Sequence, residues 1–325
     1  MRTVHDIGEF RLIERLSRLM PNAPFVVEGI GDDCGVVRMG ERLLLASSDM
    51  FIEDVHFRRD HILPSNIGWK AAASCISDVA AMGGTPTFCL VSIACPPSTD
   101  LQFVEQVYKG ILSVLSRFGV VILGGDTTSS PQGLVIDMTV IGQTMGPHFL
   151  RRRGARNGDL LAITGWPGMS AAGFHALEHD HDAPTLVAAH QQPRPRVREG
   201  QWLCARPSIH ALIDVSDGLL QDAGHIAKAS NLGVNIDSNG LPIHSDLDRY
   251  CQMHGLDAHS FVLTGGEDYE LAFAMSPDQH ERSLQDFHHE FRTELTIIGE
   301  FTNEWSGVRV GGEETDWTGF QHFAE

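Results

Sequence analysis

Six times along this 325-residue chain a short apolar run ends in a turn of small residues that carries a carboxylate. The six are GIGDDC with Asp32 and Asp33, ASSDM with Ser47, Ser48 and Asp49, CISDVAAMGG with Asp78, LGGDTTSS with Asp126, IDVSDGLL with Asp214 and Asp217, and TGGEDYEL with Glu267 and Asp268. One such turn is ordinary, because Asp and Ser close turns and cap helices. Six of them together are harder to dismiss as turn and cap chemistry alone. If the loops converge, they form a nest of hard oxygen ligands with almost no nitrogen or sulfur, which suits Mg²⁺ better than zinc or copper. Carboxylates that close cannot all stay ionised without cations between them. No segment carries the D-x-[DN]-x-[DN]-G loop with its distal Glu, which disfavours a calcium-binding hand.

The apolar periodicity indicates the architecture. Phe10, Ile13, Leu16 and Leu19 fall at helical spacing over residues 8–20, which predicts an amphipathic packing helix. Strands are predicted at 43–47, 90–94, 120–123 and 134–141, with a helix over 66–82 and another that Thr99 caps and Gly119 ends. Gly, Pro and Asn punctuate residues 145–158, so the chain divides into units 1–148 and 149–325. In the second unit, strands are predicted at 160–164, 211–215, 234–236, 269–275 and 296–298, and helices at 170–178 and 219–231. The polar, Pro-rich stretch 179–195, with His175, His179 and His181 nearby, reads as a solvated loop. The fold class is therefore mixed α/β in two domains.

Charge narrows the function. Lys+Arg 24 against Asp+Glu 42 leaves a net −18, a field that repels nucleic acid. Lysine is confined to Lys70, Lys109 and Lys228, so neutralising a phosphate would fall to metals and to arginine, densest at Arg151, Arg152 and Arg153. Gly29, Gly31, Gly83, Gly84, Gly124, Gly125, Gly265 and Gly266 flank the carboxylates where a backbone could approach an anion. Yet the P-loop, the dinucleotide fingerprint and the protein-kinase signatures are all missing, as are the hydrolase G-x-S-x-G and H-E-x-x-H motifs. The six cysteines show no metal or disulfide spacing and read as reduced thiols of a cytoplasmic protein. No apolar run is long enough to span a membrane.

The segments GEFRLI, GIGDDC, SSDMFIEDVHF, SDVAAMGGTP, GGDTTSS, DVSDGL, GGEDYEL and DWTGFQHF, in that order, resemble those of the thiamine-monophosphate kinases, in the aminoimidazole-ribonucleotide-synthetase-like superfamily. The resemblance runs nearly end to end. It implies ATP-dependent phosphorylation of thiamine monophosphate to thiamine diphosphate at a site with several Mg²⁺ ions. It implies metal ligation by Asp33, Ser47, Ser48, Asp49, Asp78, Asp126, Asp214 and Asp217. ATP contacts are implied at Tyr108, Gly125, Asp126, Arg152 and Ser216, and substrate contacts at His56, Glu267 and Phe320, with Asp78, Asp126 and Arg152 central to catalysis. It also implies a homodimer built through the N-terminal sheet and an α/β C-terminal domain. Ser48 stands where Thr is usual and Cys75 where Asn is common; neither change removes a carboxylate.

A selenophosphate or aminoimidazole ribonucleotide synthetase is the nearest alternative, disfavoured by SSDMFIEDVHF and GGEDYEL. A non-catalytic sensor on the same scaffold would be expected to lose several of these carboxylates. The chemistry is self-consistent, because a phosphate monoester has its second pKa near about 6 and needs no general base to act as acceptor.

Overall fold

The computed structural model describes residues 3–21, 23–315, 319 and 322. The first half runs α1 (Glu9–Ser17), β1 (Val26–Glu28), β2 (Gly35–Met39), β3 (Arg42–Ile52), α2 (Pro64–Ala81), β4 (Thr85–Cys95), α3 (Leu101–Phe118), β5 (Val121–Gly124), β6 (Thr127–Ser129) and β7 (Val135–Gln143). Its strands make one sheet in the order β1-β2-β3-β7-β4-β5, with β6 paired to β4. Alternation sorts the two faces of this sheet. Leu43, Leu45 and Phe51 of β3, Val91 and Ile93 of β4, and Ile136, Met138 and Val140 of β7 are buried on the face that α2 and α3 cover. The opposite face carries Ser48 and Met50 of β3, Thr139 of β7 and Leu90 of β4, and stays largely open, with Met50 56% and Leu90 42% exposed.

Helix α2 opens with Pro64 at its first turn and is buried on almost every side from Asn66 to Ala81. It crosses α3 at closest approach where both chains have glycine. A Cβ at Gly68 would lie 1.9 Å from the Val107 carbonyl oxygen, and one at Gly110 would lie 1.8 Å from that of Ser65. The α3 cap is Asp100 and not Thr99, because the Thr99 N–H is taken by Pro96 in a turn while the Asp100 side chain accepts the Gln102 N–H at 3.1 Å. Gly119 closes the helix at φ 68°, as its position predicts.

The second half runs β8 (Leu160–Thr164), α4 (Met169–Glu178), α5 (Pro184–Gln191), α6 (Val197–Cys204), β9 (Ile209–Asp214), α7 (Leu219–Ala229), β10 (Gly233–Ile236), α8 (Ser245–His254), α9 (Ala258–Thr264), β11 (Leu271–Met275), α10 (His280–Glu290), β12 (Leu295–Thr302), β13 (Gly307–Val310) and β14 (Glu313–Glu314). Its sheet order is β14-β13-β10-β12-β8-β11-β9.

Two expectations are corrected here. The stretch 179–195 is not a solvated loop throughout: α5 begins on Pro184 and buries Leu186 and His190 against α4. Its polar flanks hide a short helix that packs where Gly173 lets the Leu186 carbonyl approach. The apolar stripe of α1 is not a packing face within one chain, since Ile13 is 40%, Leu16 45% and Leu19 77% exposed. The helix is held near its start, where Glu9 accepts the His322 N–H at 2.9 Å and Phe10 meets the His225 ring.

Candidate active site

Helix α2 carries a polar stripe, Lys70, Ser74, Ser77 and Asp78, on a surface otherwise built of Ala, Ile, Val and Cys. Spacings of four, seven and eight residues place all four on one side of a helix. That side faces β3 of the first sheet and β9 of the second. The Ser47 hydroxyl on β3 donates to Asp78, the Ser74 hydroxyl donates to Asp49 Oδ2 at 3.2 Å, and the Ser77 hydroxyl donates to Asp214 Oδ2 at 2.5 Å. The last bond crosses between the halves of the chain.

Carboxylate oxygens of Asp33, Asp78 and Asp214 lie within 4.8 Å of one another. Arg152, from the connection between the halves, donates to Asp33 Oδ1 from Nε at 2.9 Å and from Nη2 at 2.5 Å. Asp33 Oδ2 is buried with no hydrogen-bond partner among the described residues. Its neighbours Arg151 and Arg153 instead grip Glu28 at 2.5 and 2.6 Å, so the arginine triplet splits between a structural pair and a site residue. Burial pushes the Asp78 carboxyl well above its ordinary range, and Asp49, Asp214 and Asp33 add to the effect. Burial and Asp33 push Asp214 up to about 7, against its bond to Ser77. Asp32 also rises to about 7, chiefly through burial and then through Asp33. These are groups that ionise together only beside added positive charge.

Asp214 ends β9, and the turn after it holds Ser216 and Asp217. Asp222 braces this turn by accepting the N–H groups of Ser216, Asp217 and Gly218 on one oxygen, at 3.1, 3.2 and 3.2 Å. Nothing in the motif reading singles out Asp222; its signal is an acidic residue in the first turn of a helix that follows a glycine. Asp217 accepts from Gln221 at 2.9 Å, and its carboxylate lies within 4.8 Å of ligand atoms on Asp222 and His225.

Against this turn packs the loop before β11. Glu267 has φ 62° and Tyr269 φ 53°, left-handed conformations that side chains rarely adopt. The Glu267 N–H donates to the Ser216 carbonyl at 2.7 Å and the Tyr269 N–H to that of Val215 at 2.9 Å, which hold the strained loop in place. The Glu267 carboxylate is not free: its Oε2 accepts from the buried Lys70 Nζ at 2.7 Å. His190 lies beside the pair, its ring nitrogens 3.2 and 3.4 Å from Nζ. Sequence reasoning missed both Lys70 and His190; a lone lysine within IGWKAAASC was the available signal.

A cavity of about 540 Å³ joins these parts. It is lined by Asp49, Ser74, Asp78, Asp214, Ser216 and Asp217, and also by His56, Phe174, His190, Glu267, Tyr269 and His322. His56 accepts the Ile52 N–H on Nδ1 at 3.0 Å, and burial holds its imidazole below the usual range. Other implied residues stand elsewhere. The Ser48 hydroxyl points to the open face of the first sheet, where it meets Asp137 at 3.1 Å and Thr139 at 3.0 Å, because strand alternation sends it away from Ser47 and Asp49. Gly125 and Asp126 are exposed on the bend between β5 and β6 and do not line the cavity. The bend passes so close to β4 that a Cβ at Gly125 would lie 1.7 Å from the Val91 carbonyl oxygen. Tyr108 is half-buried on α3 against the first core. Phe320 lies outside the described residues.

Comparison with known proteins converges on one family. Residues 31–144 match the model of the AIR synthase related protein, N-terminal domain, and residues 156–311 match that of its C-terminal domain. The chain is 36% identical over 329 residues to the thiamine-monophosphate kinase of Salmonella typhimurium, covering 98% of each chain, and 31% identical over 323 residues to that of Aquifex aeolicus, covering 98% of this chain and 99% of the other. A solved structure described as AaThiL complexed with AMPPCP and TMP superposes with a TM-score of 0.88 at 30% identity, covering 99% of each chain. The thiamine-monophosphate kinase of Stenotrophomonas maltophilia gives a TM-score of 0.79 at 32% identity, covering 95% of this chain and 98% of that one.

Proposed function

The chain belongs to the AIR synthase related family and, within it, to the thiamine-monophosphate kinases, and we propose that it moves the γ-phosphoryl group of ATP onto thiamine monophosphate in one in-line step at a carboxylate nest filled by several Mg²⁺ ions. The observation that carries this reading is the convergence of Asp33, Asp78 and Asp214 from three separate parts of the chain, with Asp78 and Asp214 lining one cavity together with Asp49 and Asp217.

The donor set fits magnesium. It is all oxygen, it is buried or half-buried, and it includes a carboxylate oxygen, Asp33 Oδ2, that has no hydrogen-bond partner among the described residues and that a cation would satisfy. Asp33, Asp49, Asp78, Asp214 and Asp217 would hold the ions, with Ser47 beside them. When bound, the metal neutralises phosphate charge and so lets two polyanions meet.

The residues of the chain do the rest. Arg152 supplies a fixed guanidinium at the nest, and Ser216, its backbone N–H held by Asp222 and its carbonyl by Glu267, lines the cavity at that braced turn. His56 and Glu267 line the part of the cavity that would take the acceptor's organic portion, whose thiazolium ring is a fixed cation. Phe320 is assigned an aromatic contact to that ring on the resemblance alone. No residue is needed to deprotonate the acceptor: its phosphate oxygen forms the new P–O bond while the bond from the γ-phosphorus to the bridging oxygen breaks, and ADP leaves.

The same reading places the unit boundary between residues 148 and 149, the protein in the cytoplasm, and the chain in a homodimer through the open face of the first sheet, where Met50 and Leu90 are exposed. No helix among the described residues is long and apolar enough to cross a membrane. The deciding experiment incubates the protein with ATP, Mg²⁺ and thiamine monophosphate and follows thiamine diphosphate and ADP. Equal yields of the two are expected; folded protein that makes no diphosphate overturns the proposal.

A further inference from the structure

Lys70 carries a charge that phosphoryl transfer at the carboxylate nest does not call for. Its side chain is 0% exposed within α2, in surroundings where an uncompensated ammonium is costly. Burial lowers its proton affinity, and the neighbouring Glu267 works against that. Among the described residues Nζ meets Glu267 Oε2 at 2.7 Å and the ring nitrogens of His190 at 3.2 and 3.4 Å. His190 is itself buried, shares a contact of 3.2 Å with the Ser170 hydroxyl, and is held down to about 2 by burial and by Lys70, so it stays a neutral ring.

The other oxygen of Glu267, Oε1, makes no hydrogen bond among the described residues, and the residue lines the cavity. Its backbone is pinned by the bond to Ser216 in a strained conformation, so the carboxylate is fixed from both ends. Lys70 and Asp78 stand eight residues apart on one rigid helix, which sets them about 12 Å apart along its axis. The helix that supplies the nest thus also supplies the clamp on Glu267.

We infer that Lys70 is a positioning residue for the acceptor: by holding one oxygen of Glu267 it aims the other at the thiazolium cation, at a distance from the carboxylate nest that α2 fixes. This deepens the proposed reaction and rests on it. Lys70 touches no substrate in this account and acts only through Glu267. Its removal therefore weakens acceptor binding and leaves ATP binding alone.

The test is a double-mutant cycle on the full-length protein with Lys70→Met, Glu267→Gln and the pair together, reading kcat and both KM values. Each single change is expected to raise KM for thiamine monophosphate about 10- to 100-fold, the scale of a lost charge-assisted hydrogen bond, with KM for ATP within about twofold. The double variant is expected to be no worse than the worse single, because the second change removes nothing further. A Lys70→Met protein that melts lower with KM for thiamine monophosphate unchanged, or a double variant in which the two effects multiply, overturns the inference. Should Lys70→Met alone not fold, the double variant, which leaves no unpaired buried charge, is compared with Glu267→Gln; a further rise in KM then overturns it. Failure of the proposed reaction is read separately, from wild-type protein that yields no thiamine diphosphate.

Discussion

Arg152 holds Asp33 through a single oxygen: Nε and Nη2 both donate to Oδ1, at 2.9 and 2.5 Å, while Oδ2 stays buried without a partner among the described residues. One half of this carboxylate is spoken for by the chain and the other half is free for a cation. Arg152→Ala leaves Asp33 uncompensated, and breaking a buried pair in this way costs about 3 kcal/mol. Urea unfolding in EDTA should show that loss, and adding Mg²⁺ should recover part of it. A loss of the same size with and without metal would mean that Asp33 does not hold the ion.

The raised carboxyls give metal-free protein a definite pH dependence. Asp32 and Asp214 sit at about 7 and Asp268, chiefly through burial, at about 8, all above the ordinary 3.8. Between those limits the folded state binds more protons than the unfolded state, so stability falls as pH rises. The contribution is fully present below about pH 4 and is lost as pH climbs through 7 to 8. Metal needs the ionised forms, so the rise in Tm on adding Mg²⁺ should be larger at pH 8 than at pH 5. Calorimetry at the two pH values, with EDTA and with Mg²⁺, checks it; equal shifts would remove the nest as the metal site.

What the sequence made legible was whatever is local. The strand at 160–164 matches β8, the glycine stop at 119 is where α3 ends, and Asp33, Asp78 and Asp214 do meet, although the turn expected around each Asp is not general: Asp78 stands inside α2, Asp49 inside β3 and Asp214 at the end of β9. Those signals sit in short windows of alternation, capping and composition. The role of a residue that acts across the fold was not legible. Lys70 reads as an ordinary helix lysine until Glu267, 197 positions away, is brought to 2.7 Å. Helix α5 was hidden because eight residues give a weak periodic signal inside a polar stretch, and its stability comes from packing on α4. Ser48 shows the opposite error of reading neighbours as one site. Adjacent strand residues point to opposite faces, and only Ser47 and Asp49 face α2.

Asp78 and Asp126 should part company in stability while agreeing in activity. Asp78 is packed among Asp33, Asp49 and Asp214, so Asp78→Asn relieves repulsion and should raise Tm in EDTA at pH 8 while abolishing turnover. Asp126 is exposed and bonds the Thr127 N–H at 2.9 Å, so Asp126→Asn should leave Tm within about 1 °C, as a change of no more than a few tenths of a kcal/mol implies, yet still lower kcat by orders of magnitude. Near-normal turnover by Asp126→Asn would return that residue to a turn-forming role.

The separation of Asp126 from the nest leads to the sharpest test of assembly. From Asp49 on β3 the sheet must be crossed through β7 and β4 to reach β6, three strand spacings or about 14 Å, and Asp126 does not line the cavity. If both carboxylates serve one reaction centre, a second copy of the chain must bring Asp126 to it. The open face with Met50 and Leu90 is the surface available for that pairing. Leu90→Asp should then convert a dimer to a monomer in sedimentation and abolish turnover with circular dichroism unchanged. Inactive Asp78→Asn and Asp126→Asn proteins, unfolded and refolded together, should also regain about a quarter of wild-type activity, because half the dimers are mixed and one of the two sites in each is intact. A fully active Leu90→Asp monomer, or no recovery in a mixture shown to contain mixed dimers, would place the whole reaction within one chain and leave Asp126 outside it.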